Sequence, residues 1–356
     1  MIIMVILSSA DSDITKSPKD RMISKGLKTS KYPKGLKMSK SPKDLKISKA
    51  LLPSPSTIPT SANPSMVPTE LAWIQMGSDI DGEAEGDRSG QSFSLSSDGL
   101  KLAIGAFGND GNGSSSGHVR VFSYNSDSDL WVQLGPDIDG EAAGDWSGRS
   151  VSLSSDGLKV AIGAFLNDGN GLDSGHVRVF QYKADTDLWV QMGPDINGEA
   201  AGDDSGHSVS LSSDGLKVAI GAFLNDGNGS GSGHVRVFRY ESDPDLWVQM
   251  GPDIDGEAAG DGFGWSVSLS SDGLKVAIGA RFNDGNGINS GHVRVFSYNS
   301  DPDLWVQMGL DLDGEAAGDY SGFSVSLSSD GLKVAIGSDR NGNNRGHVRV
   351  FKLGSN

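Results

Sequence analysis

The sequence predicts an all-β protein, a five-bladed β-propeller of four-stranded blades behind a basic N-terminal arm. Two observations carry that prediction. Trp73, Trp131, Trp189, Trp247 and Trp305 stand 58 residues apart, and His118, His176, His234 and His292 keep the same step. Within each copy, four segments of four to seven residues alternate apolar with small or polar side chains, the period of a half-buried strand.

The elements follow in order along one copy, Leu188 to Tyr240: LWVQMG, PDINGEAAGDDSGH, SVSLS, SDGL, KVAIGAF, LNDGNGSGSG and HVRVFRY. In the second copy the strand-like runs centre on Val151 and Leu153, Val160 and Ile162, Val177 and Val179, and Trp189 and Val190. The SDG between the first two is a tight hairpin, whose glycine (Gly157, Gly215) can take a positive φ. His347 arrives three residues early, so the fifth copy is shortened just before it. The repeat region opens on LAWIQMG (Leu71–Gly77) and closes on HVRVFKL (His347–Leu353). We therefore expect the N-terminal strand to complete the last blade and close the ring, leaving no open edge. An open solenoid of the same units is the alternative.

The 50 glycines suit a turn-dense β protein, and the absence of cysteine excludes disulfides and thiol chemistry. The net charge of −16 is uneven: residues 1–70 hold 12 Lys+Arg against 5 Asp+Glu, leaving the repeats strongly acidic. Nucleic acid is not expected as a partner of an acidic domain. Residues 1–70 read as a disordered Lys/Ser/Pro-rich arm with its own crude repeat (SPKDRMISK, YPKGLKMSK, SPKDLKISK), and residues 71–356 as the propeller. The apolar start MIIMVIL within residues 1–10 resembles a degenerate secretory signal, and no segment is long enough to span a membrane.

At Gly260–Phe296 the sequence GDGFGWSVSLSSDGLKVAIGARFNDGNGINSGHVRVF resembles the FG-GAP repeat of integrin α-subunit propellers. Phe263-Gly264 stands for the FG and Ala277–Ala280 for the GAP, without its proline; the other copies carry Ser-Gly in place of FG. The resemblance implies a propeller that binds macromolecules at the cell surface, with calcium in some blades. Integrin propellers have seven blades and a DxDxDGxxD calcium loop between the first two strands. Here that place holds only Ser-Ser-Asp-Gly, so the family's metal site does not carry over.

Strand alternation puts the two long loops of every copy, PDIDGEAAGDxSG and NDGNGxxSG, on one face, where loops on a rigid scaffold tend to bind. Two positions of GDxSGx vary between otherwise constant copies. The first carries Arg88, Trp146, Asp204, Gly262 and Tyr320; three residues on stand Gln91, Arg149, His207, Trp265 and Phe323. Aromatic and arginine side chains are the types enriched among interface anchors, so all of these except Gly262 are candidate ligand-binding residues. Candidate calcium ligands are Asp137, Asp139, Glu141, Asp145, Asn167, Asp168 and Asn170; no cofactor is required, and turn composition explains the same residues equally. The repeated histidines and the strand arginines (Arg120, Arg178, Arg236, Arg294, Arg349) read as structural, the arginines pairing with acidic groups between blades. Sequons at Asn112 and Asn228 lie in the long loops.

Fivefold copying of every candidate group argues against a unique catalytic constellation. His207 with Asp203 and Asp204 is the one non-repeated acid–base cluster. The expected function is therefore non-catalytic binding or adhesion to a protein or glycan, by a monomer at the cell surface or outside the cell. A cytoplasmic location is the alternative. Other readings are a structural protein whose basic arm binds polyanions or mineral, and a propeller hydrolase.

Overall fold

The computed structural model describes residues 71–354; the basic arm and its apolar start lie outside the described residues. The first blade is a meander of β1 (Ser92–Leu95), β2 (Lys101–Ala106), β3 (His118–Asn125) and β4 (Leu130–Gln133), paired antiparallel in that order. A two-residue strand the sequence did not announce, β5 (Ile138–Asp139), returns to β3 and pairs with His118 and Val119. The same five elements recur in the second, third and fourth blades. The chain is thus an all-β, five-bladed propeller, with one helical turn among the described residues, Asn341–Asn344.

The hairpins form as their residues dictate. In the second blade Gly157 adopts φ +67°, its N–H donates to Ser154 O (2.9 Å), and Asp156 Oδ1 accepts from both Ser154 Oγ and Leu158 N. The strands that follow alternate. Val177 and Val179 face a neighbouring sheet while Arg178 takes the other side, stacked on Phe180 at 5.3 Å.

The cores lie between blades. One cluster joins Val119, Val121 and Ile138 of the first blade to Val151, Leu153, Val160 and Ile162 of the second; equivalent clusters fill the later seams. Each seam is stitched by serine. Ser94 Oγ accepts Leu153 N (2.9 Å), Ser152 accepts Leu211 N (2.9 Å), Ser210 accepts Leu269 N (2.9 Å) and Ser268 accepts Leu327 N (3.0 Å). The outer tryptophans bind the same way: the indole of Trp189 donates to Leu134 O (2.7 Å) at the edge of the preceding blade.

The strand expected to close the ring is not among the described strands. The fifth sheet holds three strands, Ser321–Leu327, Lys333–Ser338 and His347–Lys352, with Val348 and Val350 exposed on the last. Leu71–Met76 form no strand, and Leu71, Trp73 and Ile74 are exposed. Among the described residues the serine stitches run from the first blade to the fifth and have no counterpart from the fifth to the first. Apolar alternation marks a segment able to be a strand, but pairing also needs a partner's amides and carbonyls in register.

Candidate functional site

The two long loops of neighbouring blades interlock on one side of the molecule. The loop after β2 bridges to the loop entering the second blade through Gly117 and Ser147. Trp146 N donates to Ser115 O (3.2 Å), and Asn112 Nδ2 donates to Gly140 O (2.8 Å) and Glu141 O (3.0 Å). Under each GDxSGx tip a buried aspartate ties both loops. Asp145 Oδ2 accepts Ala142 N (3.0 Å) and Asn167 Nδ2 (3.0 Å), and Asp203 with Asn225 repeats this a blade later.

This scaffold holds the variable tip residue in an unusual conformation. Arg88, Trp146, Asp204 and Tyr320 all have φ of +55°, a left-handed backbone that side chains other than Asn, Asp and Gly seldom adopt. Gly262, in the fourth blade, is the residue the backbone alone would select, at φ +62°. Arginine, tryptophan and tyrosine occupy the position at a local cost of about 1 kcal/mol each.

Their side chains join a row of rings that runs from blade to blade. Trp146 packs on Phe107 (centroids 5.0 Å) and Phe165 (5.7 Å); His207 meets Phe165 (5.6 Å), Phe223 (4.5 Å) and Trp265 (4.5 Å). Trp265 continues to Phe282 (5.7 Å) and Phe323 (6.4 Å), and Phe282 to Tyr320 (5.9 Å). Guanidinium groups sit on this row: Arg88 and Arg149 over Phe107 at 5.3 and 6.0 Å, and Arg340 over Tyr320 at 4.7 Å. Arg281 lies within 4.3–5.1 Å of the rings of Trp265, Phe282, Tyr320 and Phe323. Trp146, Arg149, Trp265, Tyr320 and Phe323 are half-buried, Arg88 is exposed, and Asp204 and His207 are buried. Gln91 is half-buried and bonds through its backbone to Arg88 O (3.3 Å).

Sequence reasoning found the tips but missed the rings beneath them, Phe107, Phe165, Phe223 and Phe282, together with Arg281 and Arg340. The signal was available. The two positions after the GAP-like segment read Phe-Gly, Phe-Leu, Phe-Leu, Arg-Phe and Asp-Arg across the copies, a second inconstant pair in a constant frame.

The row's interior is poorly solvated, and its charges shift accordingly. Burial, with Arg149 and Arg281 nearby, pushes the His207 imidazole down to about 3, and burial pulls the Arg281 guanidinium down to about 10. His207 Nδ1 has no partner, and among the described residues no hydrogen bond joins its side chain to Asp203 or Asp204. Asp204 goes the other way: burial, then the carboxylates of Asp173 and Asp203, raise it to about 7.

A carboxyl raised that far holds a proton in the folded state that the unfolded chain has released. It therefore costs stability as pH climbs from about 4 to about 7, and the cost stays constant above that. Asp204→Asn, which tolerates the same backbone, is expected to leave stability at pH 4 unchanged and to add about 2 kcal/mol at pH 8. Urea unfolding at the two pH values checks this.

The seven calcium candidates do not share one centre. Asp145 and Asn167 bond to each other; Asn170 Nδ2 donates to Gly198 O (2.9 Å) and Glu199 O (2.9 Å); Asp168 Oδ1 accepts Asp173 N (2.8 Å). Asp139 offers its carbonyl to Arg178 Nη2 (2.6 Å). Asp137 and Glu141 fall into two different groups built around buried histidines: Glu83–His118–Asp137 and Glu141–His176–Asp195. Glu199–His234–Asp253 and Glu257–His292–Asp311 repeat them. In every group an arginine from the same strand as the histidine reaches the glutamate, as Arg178 Nη1 does Glu141 Oε1 at 3.6 Å. The expected acidic pairing is thus found for four of the five strand arginines, while Arg349 donates to the Asp313 carbonyl and to Ser321 Oγ.

Blades joined in sequence, with constant frames and variable tips on one side, define a repeat β-propeller. The FG-GAP repeat family model matches residues 138–180, 197–238 and 254–296. These three repeats and the five-bladed fold support an FG-GAP β-propeller family. No curated protein matches it. Among solved structures, Kuenenia stuttgartiensis hydrazine synthase is similar at 13% identity and TM-score 0.45, over 80% of this chain and 67% of that one. The Pseudomonas aeruginosa periplasmic gluconolactonase is similar at 17% identity and TM-score 0.43, over 73% of this chain and 72% of its own. A putative 6-phosphogluconolactonase from Bacteroides uniformis is similar at 11% identity and TM-score 0.41, over 73% and 84%.

Proposed function

We propose that the protein is a non-catalytic binding propeller that engages a protein or glycan through its long-loop face, at the cell surface or outside the cell. The observation that carries this reading is the left-handed tip. Four blades keep a side chain at φ +55° where glycine relieves the backbone, and three of those side chains are arginine, tryptophan and tyrosine in contact with the ring row. Strain held at a repeated surface position is a mark of use rather than of folding. Half-exposed rings flanked by guanidinium groups offer flat apolar faces with donors at their edges, which suits a sugar ring or a mixed protein surface.

A further observation supports a binding role. His207 is wedged between rings and forms no hydrogen-bonded pair with a carboxylate, so the one non-repeated acid–base cluster lacks the geometry of a catalytic dyad. Among the described residues no helix is long and apolar enough to cross a membrane. FG-GAP repeats are typical of extracellular or periplasmic proteins, which accords with an outside location.

Trp146→Gly is the informative variant, because glycine relieves the backbone while deleting the ring. On arrays of neutral and acidic polysaccharides and purified matrix proteins, the full chain is expected to bind a defined subset. Trp146→Gly should weaken that binding by about thirtyfold, the loss of one anchor worth about 2 kcal/mol. Binding that survives both Trp146→Gly and Trp265→Ala at full strength would place the ligand elsewhere and sink this reading.

A further inference from the structure

We propose that the buried histidine of each of the first four blades is one ligand of a divalent transition-metal site, completed by the glutamate and aspartate that face its Nδ1, with zinc the ion the donor set favours. The second blade shows the arrangement. His176 is 1% exposed, its Nδ1 lies 3.8 Å from Glu141 Oε2, and Asp195 offers a carboxylate oxygen within 4.8 Å of both. The nitrogen–oxygen separation is too long for a hydrogen bond, so a buried imidazole points its nitrogen at two carboxylates without bonding to either. An ion centred among three donors about 4 Å apart lies about 2.3 Å from each, a few tenths of an ångström from zinc–nitrogen and zinc–oxygen lengths.

The carboxylates are already oriented for that centre. Glu141 commits Oε1 to Arg178, leaving Oε2 toward the histidine. Asp195 Oδ1 accepts Gln191 Nε2 (2.7 Å), which leaves its second oxygen free to turn inward. Such outer partners are what aim metal ligands. Two carboxylates outweigh the single arginine in charge. One imidazole nitrogen with two carboxylates suits zinc, whereas calcium requires six to eight oxygens.

The geometry is not an accident of one blade. His118 Nδ1 stands 3.9 Å from Glu83 and 3.7 Å from Asp137, and His234 Nδ1 stands 3.8 Å from both Glu199 and Asp253. In the fifth blade His347 has Glu315 at 3.6 Å but belongs to no three-donor group among the described residues.

The test is zinc chloride titrated into the chelator-treated full chain, read by calorimetry and native mass spectrometry. Saturation near four ions per chain is expected, falling to three in Glu141→Gln and to none when Glu83, Glu141, Glu199 and Glu257 are all changed to glutamine. Asp195→Asn should remove the same single ion, and Gln191→Ala should keep it at about tenfold weaker affinity. Circular dichroism establishes that each variant is folded. The visible absorption of cobalt bound in place of zinc should fall by one quarter in Glu141→Gln. No zinc uptake at micromolar metal, a count unchanged in the fourfold variant, or preferential uptake of calcium would overturn the proposal.

Discussion

Alanine at Gly221 is expected to destabilise the propeller by about 3 kcal/mol or more, whereas alanine at Gly337 costs about 1 kcal/mol. Both glycines sit at the same place in the second strand, one blade interior and one in the last. A Cβ on Gly221 would fall inside the carbonyl oxygen of Gly264 in the next blade, and that oxygen also accepts Ser208 Oγ at 2.8 Å. Backbone cannot yield there without parting the seam. At Gly337 the added Cβ meets only the side chain and backbone of Ser324, across its own sheet. Local environment within the sheet is otherwise shared, so the difference between the two variants isolates blade-to-blade contact. Urea unfolding of the pair reads it. Equal costs would mean that the close approach of the second strand to the following blade is not what stabilises the stack.

The second large effect is expected at Phe263. Its side chain is fully buried, edge-on to Phe296 at 6.3 Å and to His292 at 6.5 Å, with the Arg294 guanidinium 4.3 Å from its ring centroid. Phe263→Ala removes those contacts and leaves a cavity in the largest core cluster, a loss of about 3–4 kcal/mol. The comparison is Phe323→Ala, a half-buried ring of the loop face, expected to cost about 1 kcal/mol. Other copies carry serine where Phe263 stands, and the hydroxyls of Ser147 and Ser205 are buried without partners. The fourth blade is therefore packed differently from its neighbours, and thermal unfolding should show Phe263→Ala melting well below Phe323→Ala. Comparable melting would mean that the ring is dispensable to the core.

The propeller itself was legible because its signals are local. The 58-residue step, the alternation around Val177 and Val179, and the Ser-Asp-Gly turns each fix a conformation without reference to distant parts. What escaped depends on approach between segments. Ile138–Asp139 reads as part of an acidic loop, and only the position of β3 beside it turns two residues into a strand. The partner of LAWIQMG was out of reach for the same reason, since the segment declares a period but not a partner. The loop face was half legible: the tips stood out as inconstant positions, while Phe165 and Arg281 were hidden by being read as ends of strands. The left-handed backbone under Trp146 was not readable at all, because tryptophan is the last residue its sequence context would assign to φ +55°. Asp137 and Glu141 were read as calcium candidates of one loop, and sequence could not show that each faces a different histidine.

The serine stitches have a thermodynamic consequence. Each joins a hydroxyl to an amide 59 residues on, and the pairing at one seam asks nothing of the next. Stability then behaves as a sum of unit terms and nearest-neighbour couplings, like a short one-dimensional lattice. A blade at an end is held by one coupling and an interior blade by two, so melting should travel inward from the ends. By the same rule, an internal 58-residue unit can be gained or lost with every remaining seam chemically unchanged.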